Sequence, residues 1–206
     1  MEGSLVYSEY DYDMYRNVFY PNNGISNSGE AIEQRITSDT EGDSLAWNIG
    51  VGYNFNMDNI NTSLSATLRG LDADIDGYAE RGGELAMALT DQEIESLQTV
   101  LAAQASFAFN QDYGVFVPYV SIAWHHEFED DPRDIYATYV FDPFVEEDGH
   151  TLKMSTDGLD DNYFNLGLGA NFVLTQGTQI FVAYDTLLGL KEVSSHAFTV
   201  GARLAL

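Results

Sequence analysis

The chain has 206 residues, of which 33 are Asp or Glu and only 8 are Lys or Arg, giving a formal net charge of -25. So acidic a protein repels the phosphates of nucleic acids, and we exclude DNA and RNA as partners. The chain also contains 13 Tyr, 12 Phe and no Cys, which excludes a disordered polyanion, a disulfide framework and a thiolate metal site.

No stretch approaches about 18 consecutive apolar residues, so the sequence contains no transmembrane helix. Apolar residues alternate instead with small or polar ones, and this period of two predicts β-strands. Eight antiparallel strands are predicted, over residues 4–20, 44–56, 62–80, 96–110, 115–129, 163–174, 179–191 and 198–206. We treat residues 1–206 as one domain.

The connections between these strands differ in length. Short turns at 57–61, 111–114 and 175–178 alternate with long polar connections at 21–43, 81–95 and 130–161, except for a short final link near 193–195. The stretch from 129 to 161 carries eleven acids against two bases. Because the alternation puts short turns at one end of the sheet and long loops at the other, it predicts an all-β, antiparallel, up-and-down transmembrane β-barrel.

One face of the predicted strands is apolar and uncharged, and the other consists mainly of Gly, Asn, Ser and Thr. Residues on the apolar face are expected to contact lipid: Leu45, Trp47, Ile49, Val51, Phe164, Leu166, Leu168, Phe172, Phe198 and Val200. A soluble lipocalin-like barrel, with its apolar face turned inwards, is the alternative. We favour the membrane barrel because soluble surfaces carry far more Lys and Glu, and because aromatic residues collect near the strand ends.

Charged residues on the opposite parity are predicted to face the lumen, since a charge in lipid costs a few kcal/mol at the midplane. They are Glu127, Asp185 and Arg203, together with Arg69 and Glu80. The strand that carries Arg69 and Glu80 loses its regular alternation near Gly70, and a bulge there would explain this change. We expect Arg203 to pair with one of these acids across the lumen. His125 and His126 are adjacent and should point to opposite faces, so they cannot chelate one metal as a local pair.

Several segments resemble the autotransporter β-domain of type V secretion. They are Ile75-Asp76-Gly77-Tyr78-Ala79-Glu80-Arg81-Gly82, Val117-Pro118-Tyr119, Trp124-His125-His126-Glu127-Phe128, the run from Asp161 to Gly169, and the ending Gly201-Ala202-Arg203-Leu204-Ala205-Leu206. The resemblance covers residues 7 to 206. This chain departs from the family in holding about eight of its twelve strands, so it is expected to be a partial domain that lacks the first strands. It also has Leu206 where the family usually has an aromatic residue.

The resemblance implies a protein of the Gram-negative outer membrane that anchors there and helps to export its own N-terminal passenger to the cell surface. Implied partners are outer-membrane lipid, lipopolysaccharide, the barrel-assembly machinery and the passenger, which is absent from this chain. Phe198, Gly201, Arg203 and Leu206 would form the C-terminal assembly signal. The second hypothesis is a small structural or adhesive barrel that presents acidic loops.

Enzymatic activity is not expected. No Gly-x-Ser-x-Gly sequence frames a serine, so no catalytic residue is assigned. The first ligand positions of a calcium-binding loop are matched by Asp72, Asp74 and Asp76. The closing glutamate of such a loop would fall at position 83, which is Gly83. No cofactor or metal is predicted.

Overall fold

The computed structural model describes residues 1–20, 32–141, 152–175, 177–191 and 193–204, and these form thirteen strands. Their bounds are β1 Glu2–Tyr20, β2 Ile32–Met57, β3 Ile60–Ile75, β4 Tyr78–Ala79, β5 Met87–Leu89, β6 Gln92–Phe107, β7 Phe109–Gln111, β8 Gly114–Glu127, β9 Asp134–Tyr139, β10 Leu152–Ser155, β11 Asn162–Leu174, β12 Gln179–Leu188 and β13 Ser195–Arg203. Within these ranges, no helix has both the length and the apolar character needed to cross a membrane.

Eight strands follow one another in the main sheet, in the order β1-β2-β3-β6-β8-β11-β12-β13, and every neighbouring pair is antiparallel. These are the eight predicted strands, in the predicted up-and-down order. β7 continues β6 after a break at Ala108 and also pairs with β8. The two edges of the sheet are β1 and β13, and in the part of the chain that the structure describes they are not paired with each other.

The long connections are more ordered than we predicted. β2 begins at Ile32, well before the predicted start at 44, and its residues from Ile32 to Gly50 pair with the whole of β1. The connections predicted at 81–95 and 130–161 contribute β5, β9 and β10, which form a second sheet in the order β10-β9-β5-β4. The prediction of strandless loops is therefore wrong there, because backbone pairing continues beyond the point where the apolar alternation stops.

The predicted bulge near Gly70 is absent from β3. Gly70 pairs in unbroken register with Trp47 on one side and Leu97 on the other, and its missing side chain makes room for the Trp47 ring. The extra residue lies further along the chain. The Asp76 amide donates to the Glu41 carbonyl, and Arg81 pairs with Thr37. The six residues from Asp76 to Arg81 thus lie opposite the five residues from Glu41 to Thr37, which is a bulge of one residue. This later bulge changes which side chains face inwards beyond Ile75.

Candidate functional site

The strand register divides the main sheet into two faces. We call the side that carries Trp47 the apolar face and the side that carries Asn48 the polar face. Paired residues of an antiparallel sheet lie on the same side, and side chains alternate along each strand. The register from β2 to β13 thus places every residue predicted to contact lipid on the apolar face: Leu45, Trp47, Ile49, Val51, Phe164, Leu166, Leu168, Phe172, Phe198 and Val200.

Most of these apolar side chains are unusually exposed for their type, and Trp47, Leu166 and Phe172 are half-buried. Ile49 is 62% exposed, Phe198 79% and Val200 77%. By contrast, the buried apolar side chains among the described residues are only Ile36, Ala86 and Ala137, none of which lies on this face. The apolar face is therefore a continuous exposed surface, which in water would mark an interaction site.

The polar face is lined by small residues over which aromatic rings lie. The Tyr119 ring covers Gly169, and the Phe181 ring covers Gly201, so a side chain at either glycine would collide with the ring. Gly167 lies in the same row as Ser121 and Asp185, whose side chains flank it. Glycine on this face thus makes space for neighbouring side chains.

Two of the residues predicted to carry lumen-facing charges lie in one row across the polar face. The row joins residues from five adjacent strands: Ser4, Asn48, Arg69, Gln98 and Glu127. Asn48 donates to the Ser4 hydroxyl, and Arg69 donates to the Gln98 side-chain oxygen. We call these five residues the polar row.

Glu127 is the most enclosed charged residue of the row, with 4% of its surface exposed. Its carboxylate accepts hydrogen bonds from the Ser96 hydroxyl and the Leu97 amide, both at 2.8 Å. Gln98, 6% exposed, donates to the Tyr163 hydroxyl at 3.3 Å, and the Tyr163 ring stacks on His125. Every buried side-chain polar atom in the described ranges has a hydrogen-bond partner, so the buried part of the cluster is fully hydrogen-bonded.

The sequence predicted Arg69 and Glu127 for this face but missed Gln98 and Tyr163. The alternation would have placed both on the polar face, but which residues lie side by side depends on register. His125 is on the polar face and His126 on the apolar face, where it stacks on Trp124, as their adjacency predicted.

Asp185 and Arg203 also fall on the polar face, but the expected pairing of Arg203 is wrong in the described structure. Asp185 lies opposite Ala197, six residues before Arg203, which corresponds to about 20 Å along the strand. Arg203 is exposed and pairs in register with Gln179, next to the short turns, whereas Glu127 lies at the long-loop end. Alternation fixed the face of each charge but not its height along the strand.

Glu80 lies beyond β3, where it binds Arg16 of β1. The two nitrogens Nε and Nη2 of Arg16 donate to the two carboxylate oxygens at 2.7 and 2.6 Å, and Nη2 also donates to the Leu85 carbonyl. Since Arg16 pairs with Ile36, both lie on the polar-face side of the long β1–β2 hairpin. The guanidinium holds the pKa of Glu80 below its ordinary value, although partial burial opposes this.

Three of the four C-terminal residues predicted as an assembly signal lie in the described part of the chain. Phe198 is on the apolar face, Gly201 lies under the Phe181 ring, and Arg203 ends β13. Leu206 lies outside the described residues. Among the described residues, no group of three His, Cys, Asp or Glu side chains is arranged to hold a metal ion.

The chain matches the family model described as Autotransporter beta-domain over residues 1–185. The matched range takes in the first seven strands of the main sheet up to Asp185 in β12, including the polar row and the Arg16–Glu80 pair. No curated protein matches the chain. The family is a translocator family of type V secretion.

Proposed function

Because this chain belongs to the autotransporter β-domain family, whose members are outer-membrane β-barrels of Gram-negative bacteria, we propose that it anchors and exports an N-terminal passenger. Residues 1–206 act together as part of the barrel domain. The family is a transport family and not a catalytic one, and the proposed work is anchoring and passage across the membrane.

The observation that carries this proposal is the exposed apolar face. From Leu45 to Phe55 the apolar side of β2 carries no charge, and this stretch extends about 33 Å along the strand, or about 25 Å across a membrane at a usual barrel tilt. That height matches the hydrocarbon band of outer-membrane barrels. The same face on a soluble protein would promote aggregation.

The proposed partners follow from the two faces and the C-terminal end. Lipid and lipopolysaccharide contact the apolar face, while Arg69, Glu127, Asp185, Arg203 and Glu80 turn towards the interior. The segment containing Phe198, Gly201, Arg203 and Leu206 is the signal for the barrel-assembly machinery. The passenger joins the chain ahead of β1.

The anchoring part of the proposal is tested by refolding the chain in detergent. We expect β-rich circular dichroism and a band on a semi-native gel that shifts on boiling, because a hydrogen-bonded barrel resists the detergent until it is heated. A chain that stays in aqueous solution without detergent, and does not shift on boiling, would refute a membrane barrel and favour the soluble lipocalin-like alternative.

The export part needs a separate experiment in cells. The chain is expressed behind a secretion signal and a short epitope, and the epitope is probed on intact cells with an antibody. Surface labelling supports export. A heat-modifiable barrel whose epitope stays in the periplasm would instead support the second candidate, a small adhesive barrel, which the acids on its outer strand ends favour.

A further inference from the structure

The side of strand β2 that carries Trp47 changes its chemistry along the strand. Between Glu33 and Asp43 the exposed positions are mostly charged, whereas between Leu45 and Met57 the exposed positions on the same side are apolar. The alternating partners Ile36, Ser38 and Thr40 are buried, at 0%, 8% and 9% exposure. The side that carries Trp47 therefore changes from charged to apolar near Ser44, and on the charged stretch the opposite side is buried.

The change from apolar to acidic occurs at nearly the same height on four neighbouring strands. Glu9 pairs with Asp43, Asp43 with Asp74, and Asp74 with Glu93, so four carboxylates lie side by side on the side that carries Trp47. We call these four the acidic row. On β3 and β6, Asp72 and Glu95 extend it one step towards the apolar band, as expected if the strands are tilted. Like charges directly opposite one another destabilise a sheet, and lipid would make the cost larger.

The opposite side of this outer region carries the small buried core. Ile36 is fully buried, as is Ala86 in the connection before β5, and Ala137 of β9 is 1% exposed. Ala137 pairs with Leu89 of β5 and with Leu152 of β10, and Leu89 pairs with Tyr78 of β4. The doubly hydrogen-bonded Arg16–Glu80 pair lies on the same side as Ile36.

We infer that the outer boundary of the lipid crosses the sheet between the acidic row and Leu45, and that the strands beyond it form a water-exposed wall with an inward core. Below the boundary the apolar side faces lipid. Above it the buried side, which carries Ile36, faces inwards and the charged side faces water, as in a soluble β-protein. This inference rests on the proposed membrane function. It adds the position of the boundary and the separate, lipid-independent packing of the outer wall.

The test uses single cysteines on β2, since the native chain has none. Ile49→Cys and Glu41→Cys, both on the side that carries Trp47, each receive an environment-sensitive fluorophore in the full chain reconstituted into phospholipid vesicles. Iodide quenches probes in water, and spin-labelled acyl chains quench probes in lipid. We expect lipid quenching at position 49 and iodide quenching at position 41, which lies about 26 Å away along the strand.

The outcomes separate the two proposals. Iodide quenching at both positions would refute membrane insertion and hence the proposed function. Lipid quenching at both positions would leave the proposed function intact and overturn the boundary.

The inward core is tested by a second pair of thiols. Ser38→Cys and Glu41→Cys differ in the face they occupy, and both lie above the proposed boundary. A charged thiol reagent should modify position 38 about tenfold more slowly, because it must wait for local opening of the wall. The position-49 probe first shows that the chain is inserted in lipid. If positions 38 and 41 are then modified at equal rates in the same vesicles, no inward core packs against position 38.

Discussion

Glycines on the polar face act through the rings that cover them. The Tyr119 ring occupies the space where a side chain at Gly169 would stand, and Phe181 does the same at Gly201. Neither glycine has a positive φ angle. Their role is to accommodate a ring, not to allow an unusual backbone.

Replacing Gly169 with valine should destabilise the barrel by about 1 to 3 kcal/mol, because the Tyr119 ring must move from its position. The measurement is the temperature at which the folded gel band converts to the unfolded one. Ala170→Val is the matched control, since Ala170 lies next in sequence but on the apolar face. Equal conversion temperatures for the two variants would contradict the role given to the ring.

The acidic row allows a prediction at the same scale. Asp74 has a carboxylate directly opposite it on both sides, Asp43 and Glu93, so Asp74→Asn should stabilise the sheet by about 0.2 to 1 kcal/mol. The gain should shrink in high salt, which screens exposed charges. The gel conversion temperature measured at low and high salt checks this. Asp112→Asn, in the short turn between β7 and β8, is the control, and an equal gain there would contradict pairwise repulsion.

Among the elements, the β1–β2 hairpin depends on a contact between residues far apart in sequence. Arg16 and Glu80 are 64 positions apart, and the ion pair ties the hairpin to the strand end that follows β3. Glu80 also accepts the Met87 amide at 2.8 Å, which closes the tip of the next hairpin. One carboxylate therefore joins two hairpins.

This pair predicts a pH dependence. The pKa of Glu80 is lowered in the folded protein, first by its hydrogen bonds with Arg16, so folding favours the ionised form. The stabilisation is present above the ordinary carboxyl pKa of about 4.3 and is lost as pH falls through the lower folded value. Arg16 is 41% exposed, so we expect only about 1 kcal/mol.

Glu80→Gln should therefore lower the gel conversion temperature at pH 7, and the difference from the native chain should disappear near pH 3. Asp39→Asn serves as the control, because the Arg81–Asp39 pair is 69% and 67% exposed and should contribute little at either pH. A difference for Glu80→Gln that persists undiminished at pH 3 would show that charge is not the source of the stabilisation.

At the scale of the whole molecule, the main sheet has two edges. β1 is 19 residues long, β13 is 9, and no pairing between them exists in the described part of the chain. An unpaired edge strand exposes alternate amides and carbonyls, which invite another strand. In lipid such groups must be paired, so the edges decide how the barrel is completed.

Hydrogen exchange of the refolded chain measures the state of those edges. If β1 stays an edge, its alternate amides that point away from β2 should exchange fast while those bonded to β2 are protected. Protection of every β1 amide would instead show that another strand pairs there, either β13 or a second copy of the chain. The amides of β3, which is paired on both sides, provide the protected reference.

The sequence by itself determined the eight main strands, their order and the face on which the side chains within those strands lie. These follow from an alternation that each strand carries locally, as from Leu45 to Phe55, because successive side chains of a strand point to opposite sides. Only the tertiary structure decided which residues share a row, such as Gln98 with Glu127, and that Arg16 meets Glu80. It also decided the height of Arg203 and the strands within the long connections. Register is the physical reason, because it is set by contacts along the whole length of paired strands and not by the residues of either strand alone.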